Sequence, residues 1–384
     1  MRKRMRRKQN KKELAAGLVL AGAVAVFALW NLFTPVTEYS AAESRALAQR
    51  PKLTWESVMS GDYKEKYERF LSDQFAGREF WRGLKVAITR IGGEREENGV
   101  ILGNEEQLLD GIESPEQESL AETIEKLNAF SENYQDIPMH MMLVPDAATV
   151  LTDAHPYLAD VADQNRMIAQ VKRELGEKID WIDVSKVLND HSKERIYYQT
   201  DARWTTLGAY YAFGVAAKQL EIDSDSGYAT YPVSTTFNGI LASKSGYCLD
   251  VKEQIDIYVP QKGDNDVVVS YVDEQRKTTS LYDSSKLNES NQYELFLGGD
   301  TSVVDIKTAT VSNRRLLLVK DSFANCFVPF LTPYFREIVV VDPHYYSGSL
   351  KSIMETYHVT DVLFLYSGNG FFQDNSLSGV LECE

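Results

Sequence analysis

Cysteine and histidine are scarce in this chain, three and five among 384 residues. Cys248, Cys326 and Cys383 contain no CxxC spacing, and their odd number leaves at least one thiol unpaired. A chain of this size needs no disulfide framework, so the cysteines read as structural thiols and say nothing of the compartment. Neither HExxH nor a Walker-type GxxxxGK[ST] occurs, which removes zincin and P-loop chemistry. No resident metal or cofactor is expected. Internal repeats are absent, and no low-complexity block follows the N-terminus.

Positive charge is also in short supply beyond the first thirteen residues. Those residues hold eight Lys/Arg and one Glu, giving +7, and the rest holds 33 basic against 55 acidic residues, giving −22, for a total of −15. A body this acidic is a poor partner for nucleic acid or other polyanions through a broad basic face. What is present describes a folded protein: 43% hydrophobic, 25% charged and 11% aromatic residues, with mean hydropathy −0.31. Disordered, collagen-like and many-span membrane classes are excluded. The length suits one large domain or two ordinary ones.

One uncharged run is long enough to matter. Residues 14–33 read LAAGLVLAGAVAVFALWNLF. Twenty helical residues at about 1.5 Å rise span about 30 Å, one bilayer core. The basic block 1–13 would remain cytoplasmic by the positive-inside rule, placing the chain after Phe33 outside the cell membrane. A cleaved signal peptide is the rival. Its apolar region is usually about 7–15 residues, and Ala46-Leu47-Ala48 lies far beyond this run. The reading is a single-pass, uncleaved anchor with an extracytoplasmic C-terminal domain.

After the anchor, residues 34–62 form a polar stalk with Pro35 and Pro51, and 63–384 form the exterior domain. Residues 63–92 are amphipathic at helical spacing, one or two helices; 93–112 are Gly-rich and hairpin-like. Helices are predicted over 116–134, 161–176 and 205–220. Strands are predicted at Met139–Val144, Ile179–Val184, Leu316–Val319, Ile338–Val341 and Val362–Tyr366. Continuous apolar runs alternating with helices predict an α/β fold, with a parallel sheet covered by helices on both faces. Residues 225–310 read as a β-rich insertion.

Two segments could carry chemistry. The first is Thr200-Asp201-Ala202-Arg203-Trp204-Thr205-Thr206-Leu207-Gly208, ahead of a helix. The second is Lys320-Asp321-Ser322-Phe323, where an apolar strand runs into a helix. A serine at the C-terminal end of a parallel strand lies on the ligand edge of an open α/β sheet, beside backbone N–H groups suited to an oxyanion. The plainer reading is that Asp321 or Ser322 merely caps the helix.

These segments together resemble the DHHW family, whose motif is written T-D-H-H-W-T-T-x-G-A. Glu43-Ser44-Arg45-Ala46-Leu47 with Pro51, Val144-Pro145, Phe237-Asn238-Gly239, Phe296-Leu297-Gly298-Gly299 and Lys320-Asp321-Ser322-Phe323 fall in family-like order, from about residue 40 to 370. The resemblance implies an SGNH-hydrolase-like fold, related to the proteins of alginate O-acetylation. It further implies a role in O-acetylating a cell-surface polysaccharide, by acetyl transfer or ester hydrolysis, beside a membrane-bound O-acyltransferase. By that resemblance Ser322 is the nucleophile position and Asp201 the orienting acid.

The chain departs from the pattern where it matters most. Asp201-Ala202-Arg203 stands where the family has D-H-H, so both motif histidines are missing. A serine hydroxyl is a weak nucleophile until a base takes its proton. Arginine stays protonated and cannot be that base; Arg203 can pair with Asp201 or hold an anion. Asp300 also follows Gly298-Gly299 where the family is expected to have Asn. His344, after a predicted strand, is a candidate replacement base; His191 reads as a surface loop residue and His140 as core. Gly368-Asn369-Gly370 reads as a turn. Three functions stay open: an esterase or acetyltransferase working through Ser322, Asp201 and Arg203; a catalytically silent member that binds glycan or scaffolds the acyltransferase; and a structural envelope protein.

Overall fold

The structure, a computed structural model, describes residues 17–382 apart from 20, 23, 32, 41–44, 158–160, 224–226, 248 and 263–265. The basic block 1–13, Glu43-Ser44, Cys248 and Cys383 lie outside the described residues. The chain forms two compact units, one up to Gly93 and one from Glu94 onward.

In the first unit every described residue from 17 to 33 is helical. Among the described residues no helix is long and apolar enough to cross a membrane. Residues 14–16, 20, 23 and 32 of the uncharged run lie outside them. Residues 63–92 hold two helices, α1 (Asp62–Asp73) and α2 (Arg78–Ile91). Gly77, at φ 68°, makes the left-handed corner between them, which a side chain would strain. The expected exterior domain starts at residue 63; the break between units falls thirty residues later, so α1 and α2 group with the first unit.

The second unit opens with a small antiparallel sheet of Glu96–Glu97, Val100–Leu102 and Leu108–Asp110. Helix α3 (Gln117–Asn133) follows. Its main sheet has eight strands: β1 (Met139–Val144), β2 (Ile179–Trp181), β3 (Val267–Tyr271), β4 (Arg276–Thr278), β5 (Val303–Thr308), β6 (Arg315–Lys320), β7 (Glu337–Val341) and β8 (Asp361–Ser367). Their spatial order is β4-β3-β5-β7-β6-β8-β1-β2. Strands β7, β6, β8, β1 and β2 are parallel neighbours. Strands β5, β3 and β4 add an antiparallel wing.

The sheet is therefore mixed, which corrects the expected parallel sheet. Residues 225–310 are not wholly an insertion either. The pair Tyr228–Phe237 and Glu253–Pro260 forms a separate antiparallel ribbon, while β3 and β4 join the main sheet. The physical reason is visible in Val303–Thr308, whose four buried residues need a paired neighbour on each side. No crossover helix precedes it to impose a parallel direction.

Side chains alternate cleanly through this sheet. Leu316, Leu318, Val340, Leu363 and Leu365 face one core, with α5 (Thr206–Gln219) packed there. Leu317, Val319, Val341, Val362 and Phe364 face the other, against α3, α4 (Gln164–Glu174) and α6 (Leu350–Tyr357). Burial on both faces explains why these strands read as unbroken apolar runs. The fold places the carboxyl ends of β1, β6, β7 and β8 along one edge.

Candidate functional site

Strand β6 ends at Lys320, and the helix expected after it is a short 3-10 segment of five residues, Ser322–Cys326. Asp321 caps it. One carboxylate oxygen accepts from Phe323 N at 3.0 Å; the other accepts from Ser367 N and Oγ, at 2.8 and 2.7 Å. The capping role thus falls to Asp321 alone. Among the described residues the Ser322 hydroxyl makes no hydrogen bond.

The Asp201 loop is narrow because Tyr197 bridges to Trp204 and Tyr198 N donates to Arg203 O at 3.2 Å. Asp201 is fully buried and Arg203 is 6% exposed. Oδ1 of Asp201 accepts from Arg203 Nε at 2.6 Å and from its backbone N at 3.1 Å. Oδ2 accepts from Arg203 Nη2 at 2.7 Å and from Ile240 N at 2.9 Å. Burial works against both charges, yet each partner overrides it: Arg203 holds Asp201 below the usual carboxylate range, and Asp201 holds Arg203 above the usual guanidinium range. The Phe237-Asn238-Gly239 motif serves this loop. A Cβ on Gly239 would overlap the Asp201 backbone and Cβ, so only glycine lets the two segments meet.

Two contacts bring this loop to the serine. Trp204, fully buried, donates from Nε1 to Phe323 O at 2.8 Å. Tyr293 donates its hydroxyl to Ser322 O at 3.3 Å while its ring lies 3.8 Å from the Arg203 guanidinium carbon. The loop of Asp201 and Arg203 and the turn of Ser322 thus share one neighbourhood. Asp300 belongs to it: it accepts from Asn325 Nδ2 at 3.0 Å and pairs with Lys320 Nζ at 3.4 Å. Against the upward push of burial, Lys320 and Arg203 keep its carboxyl below the ordinary range. Lys320, 2% exposed, also binds Asp342 at 2.7 Å.

No imidazole among the described residues hydrogen-bonds to Ser322. His344 is mostly exposed and makes no hydrogen bond to Ser322; its Nδ1 lies 3.4 Å from Asp374 Oδ2 instead. His191 pairs with Glu194 at 2.6 Å and stacks on Tyr211. His140 is buried in β1, as expected of a core residue. Among the described residues no cluster of His, Cys, Asp and Glu could hold a metal ion. A cavity of about 550 Å³, lined by residues such as Glu105, Lys193, Arg195 and Glu253, includes neither Ser322 nor Asp201.

Sequence reasoning missed three parts of this edge. Tyr293 carries the contact between Arg203 and Ser322, and nothing in its surroundings marks it. Asp146, after β1, accepts from Gln164 Nε2 at 2.6 Å and Asn369 N at 2.7 Å, and burial pushes its carboxyl up to about 7. Burial likewise raises Asp321 to about 6, despite its bonds from Ser367. Gly368-Asn369-Gly370 is no turn but the start of the helix Gly368–Gln373, capped by Ser367. The Ser-Gly-Asn-Gly order after an apolar strand was the available signal.

A mixed α/β sheet with a serine at the end of a central strand, beside a buried carboxylate from a T-D-x-x-W loop, defines the class of the protein. The family described as DHHW protein matches residues 128–341, more than half of the chain and inclusive of both motif segments, and the chain belongs to it. That match is narrower than the 40–370 expected from the sequence. Among solved structures the chain is similar to a DHHW family protein from Eubacterium siraeum, with 23% identity and TM-score 0.61, covering 74% of this chain and 95% of that one. It is similar to Bacillus cereus PatB1, solved with a sulfonyl adduct, with 18% identity and TM-score 0.61, covering 72% and 97%. The O-acetyltransferase domain of Pseudomonas putida AlgJ is more distant, with 14% identity and TM-score 0.47, over 72% and 93%. No curated protein matches.

Proposed function

We propose that this chain is a membrane-anchored, extracytoplasmic DHHW protein of cell-surface polysaccharide O-acetylation that acts there without turnover, binding glycan or scaffolding a membrane-bound O-acyltransferase. One observation carries the reading: the position of the motif base is filled by Arg203, forked onto Asp201 inside the core. A guanidinium held this way is a permanent cation and cannot relay the serine proton. The anchor and its orientation rest on the uncharged run and the basic block before it. The pathway rests on the family resemblance.

The test is acetyl-ester hydrolysis, with p-nitrophenyl acetate as the probe. Wild type is expected to equal Ser322→Ala, and Arg203→His is expected to gain about 10²-fold or more, the ordinary worth of a positioned general base. A wild-type rate that Ser322→Ala abolishes would overturn the reading and make Ser322 the nucleophile.

A further inference from the structure

Helix α2 wears its apolar face outward. At 100° per residue Phe80, Leu84, Ala87, Ile88 and Ile91 share one side. That side meets solvent: Phe80 is 66%, Ile88 60% and Ile91 88% exposed. The helix buries only Val86, on the opposite side. A helix that folds against a core shows the reverse pattern. Lys85 borders the apolar face on one flank and Arg90 on the other. The helix holds four cations (Arg78, Arg82, Lys85 and Arg90) against one acid, Glu79, in a chain whose net charge is −15.

A second observation fixes where this helix begins. Phe27 packs on Phe75 at 5.4 Å and on Trp81 at 5.8 Å between ring centroids. Asn31 Oδ1 accepts from Ala76 N at 2.8 Å. Phe27 and Asn31 belong to the C-terminal end of the uncharged run, Phe75 and Ala76 to the turn into α2, and Trp81 to its first turn. The first turn of α2 is thereby held beside the place where that run ends.

We infer that α2 is an interfacial helix whose ligand is the lipid surface itself. Phe80, Leu84, Ile88 and Ile91 enter the boundary between headgroups and acyl chains, and Arg90, at the edge of that face, reaches out to anionic headgroups. A basic, amphipathic helix with aromatic residues on its apolar side partitions this way, and anionic lipid strengthens the binding. The long stem of Arg90 lets it lie along the apolar face with its charge in the headgroup layer. The inference rests on the reading that residues 14–33 anchor the chain.

The test places a nitroxide at Val24, Lys66 or Ile88 of the full-length protein, with the native cysteines replaced by serine. The protein is reconstituted in vesicles of phosphatidylglycerol and phosphatidylcholine. Collision with oxygen reports lipid, and collision with a water-soluble nickel chelate reports solvent. The label at 88 is expected to meet oxygen freely and to meet nickel roughly fivefold less than the label at 66, a difference that shrinks in pure phosphatidylcholine. Equal nickel access at 88 and 66, with 24 sheltered, overturns the inference and leaves the anchor standing. Nickel access at 24, with 88 in lipid, removes the anchor and keeps the helix. A label at 88 sheltered from oxygen and nickel alike means that protein covers the face, a second copy or a membrane partner, and that also overturns it.

Discussion

Asp201 accepts from Nε and Nη2 of the Arg203 guanidinium inside the core, at 2.6 and 2.7 Å. A carboxylate that would orient an imidazole here neutralises a fixed cation. The fork is bidentate and desolvated, so its geometry is rigid, and breaking one side strands a buried charge. Asp201→Ala and Arg203→Ala are each expected to destabilise the second unit by about 3–5 kcal/mol. The double variant should cost less than the sum by about 1–3 kcal/mol in urea unfolding. Simple additivity would show that the pair is not coupled.

Ser322 and Asp321 are neighbours with opposite structural weight. The serine hydroxyl makes no bond among the described residues, whereas the Asp321 carboxylate takes three. Ser322→Ala should leave stability within about 0.5 kcal/mol. Asp321→Ala should lose about 1–3 kcal/mol, because the cap goes and Phe323 N and Ser367 N lose their acceptor. Thermal unfolding of the two variants side by side checks this. A costly Ser322→Ala would reveal a bonding role for the hydroxyl.

Trp204 links the motif loop to the serine turn through one indole hydrogen bond to Phe323 O, at 2.8 Å. Trp204→Phe keeps most of the ring and removes the donor. A loss of about 1–3 kcal/mol is expected, the penalty of leaving a buried carbonyl unpaired. Amide exchange of residues 322–326 should accelerate in step. Unchanged exchange there would mean that the turn holds without the indole.

Asp146 sets a pH dependence whose sign is unusual for a carboxylate. Burial raises it from an unfolded value near 3.8 to about 7. Between those values the folded chain binds the extra proton, so stability is full below pH 3.8 and falls as pH rises through about 7. At one decade per 1.36 kcal/mol, the contribution amounts to about 4 kcal/mol at most. Asp146→Asn keeps an acceptor for Gln164 and Asn369 and should flatten this slope. Denaturant midpoints measured from pH 4 to 8 decide it, and an identical slope in the variant would reject the assignment.

Much of the fold was legible because period and composition agreed. The apolar run Met139–Val144 coincides with its strand to the residue, and the apolar runs at 316–319, 338–341 and 362–366 each lie in a central strand. The antiparallel wing was not legible. Val267–Tyr271 and Val303–Thr308 carry the same β-rich letters that a separate insertion would, and strand direction depends on partners far away in the chain. The nearness of the Asp201 loop to Ser322 was implied by motif order alone. The residue that joins them, Tyr293, sits in a short 3-10 segment with no period to mark it.

The eight-stranded sheet ends at both borders in strands of only three residues, Ile179–Trp181 and Arg276–Thr278. So short a border offers few open amide and carbonyl groups for another chain to copy. On the Arg276–Thr278 side Lys277 adds a charge at the border, while Arg276 is paired with Asp283 and stacked on Tyr271. Copies crowded together at high surface density would stay separate particles instead of zipping into fibrils.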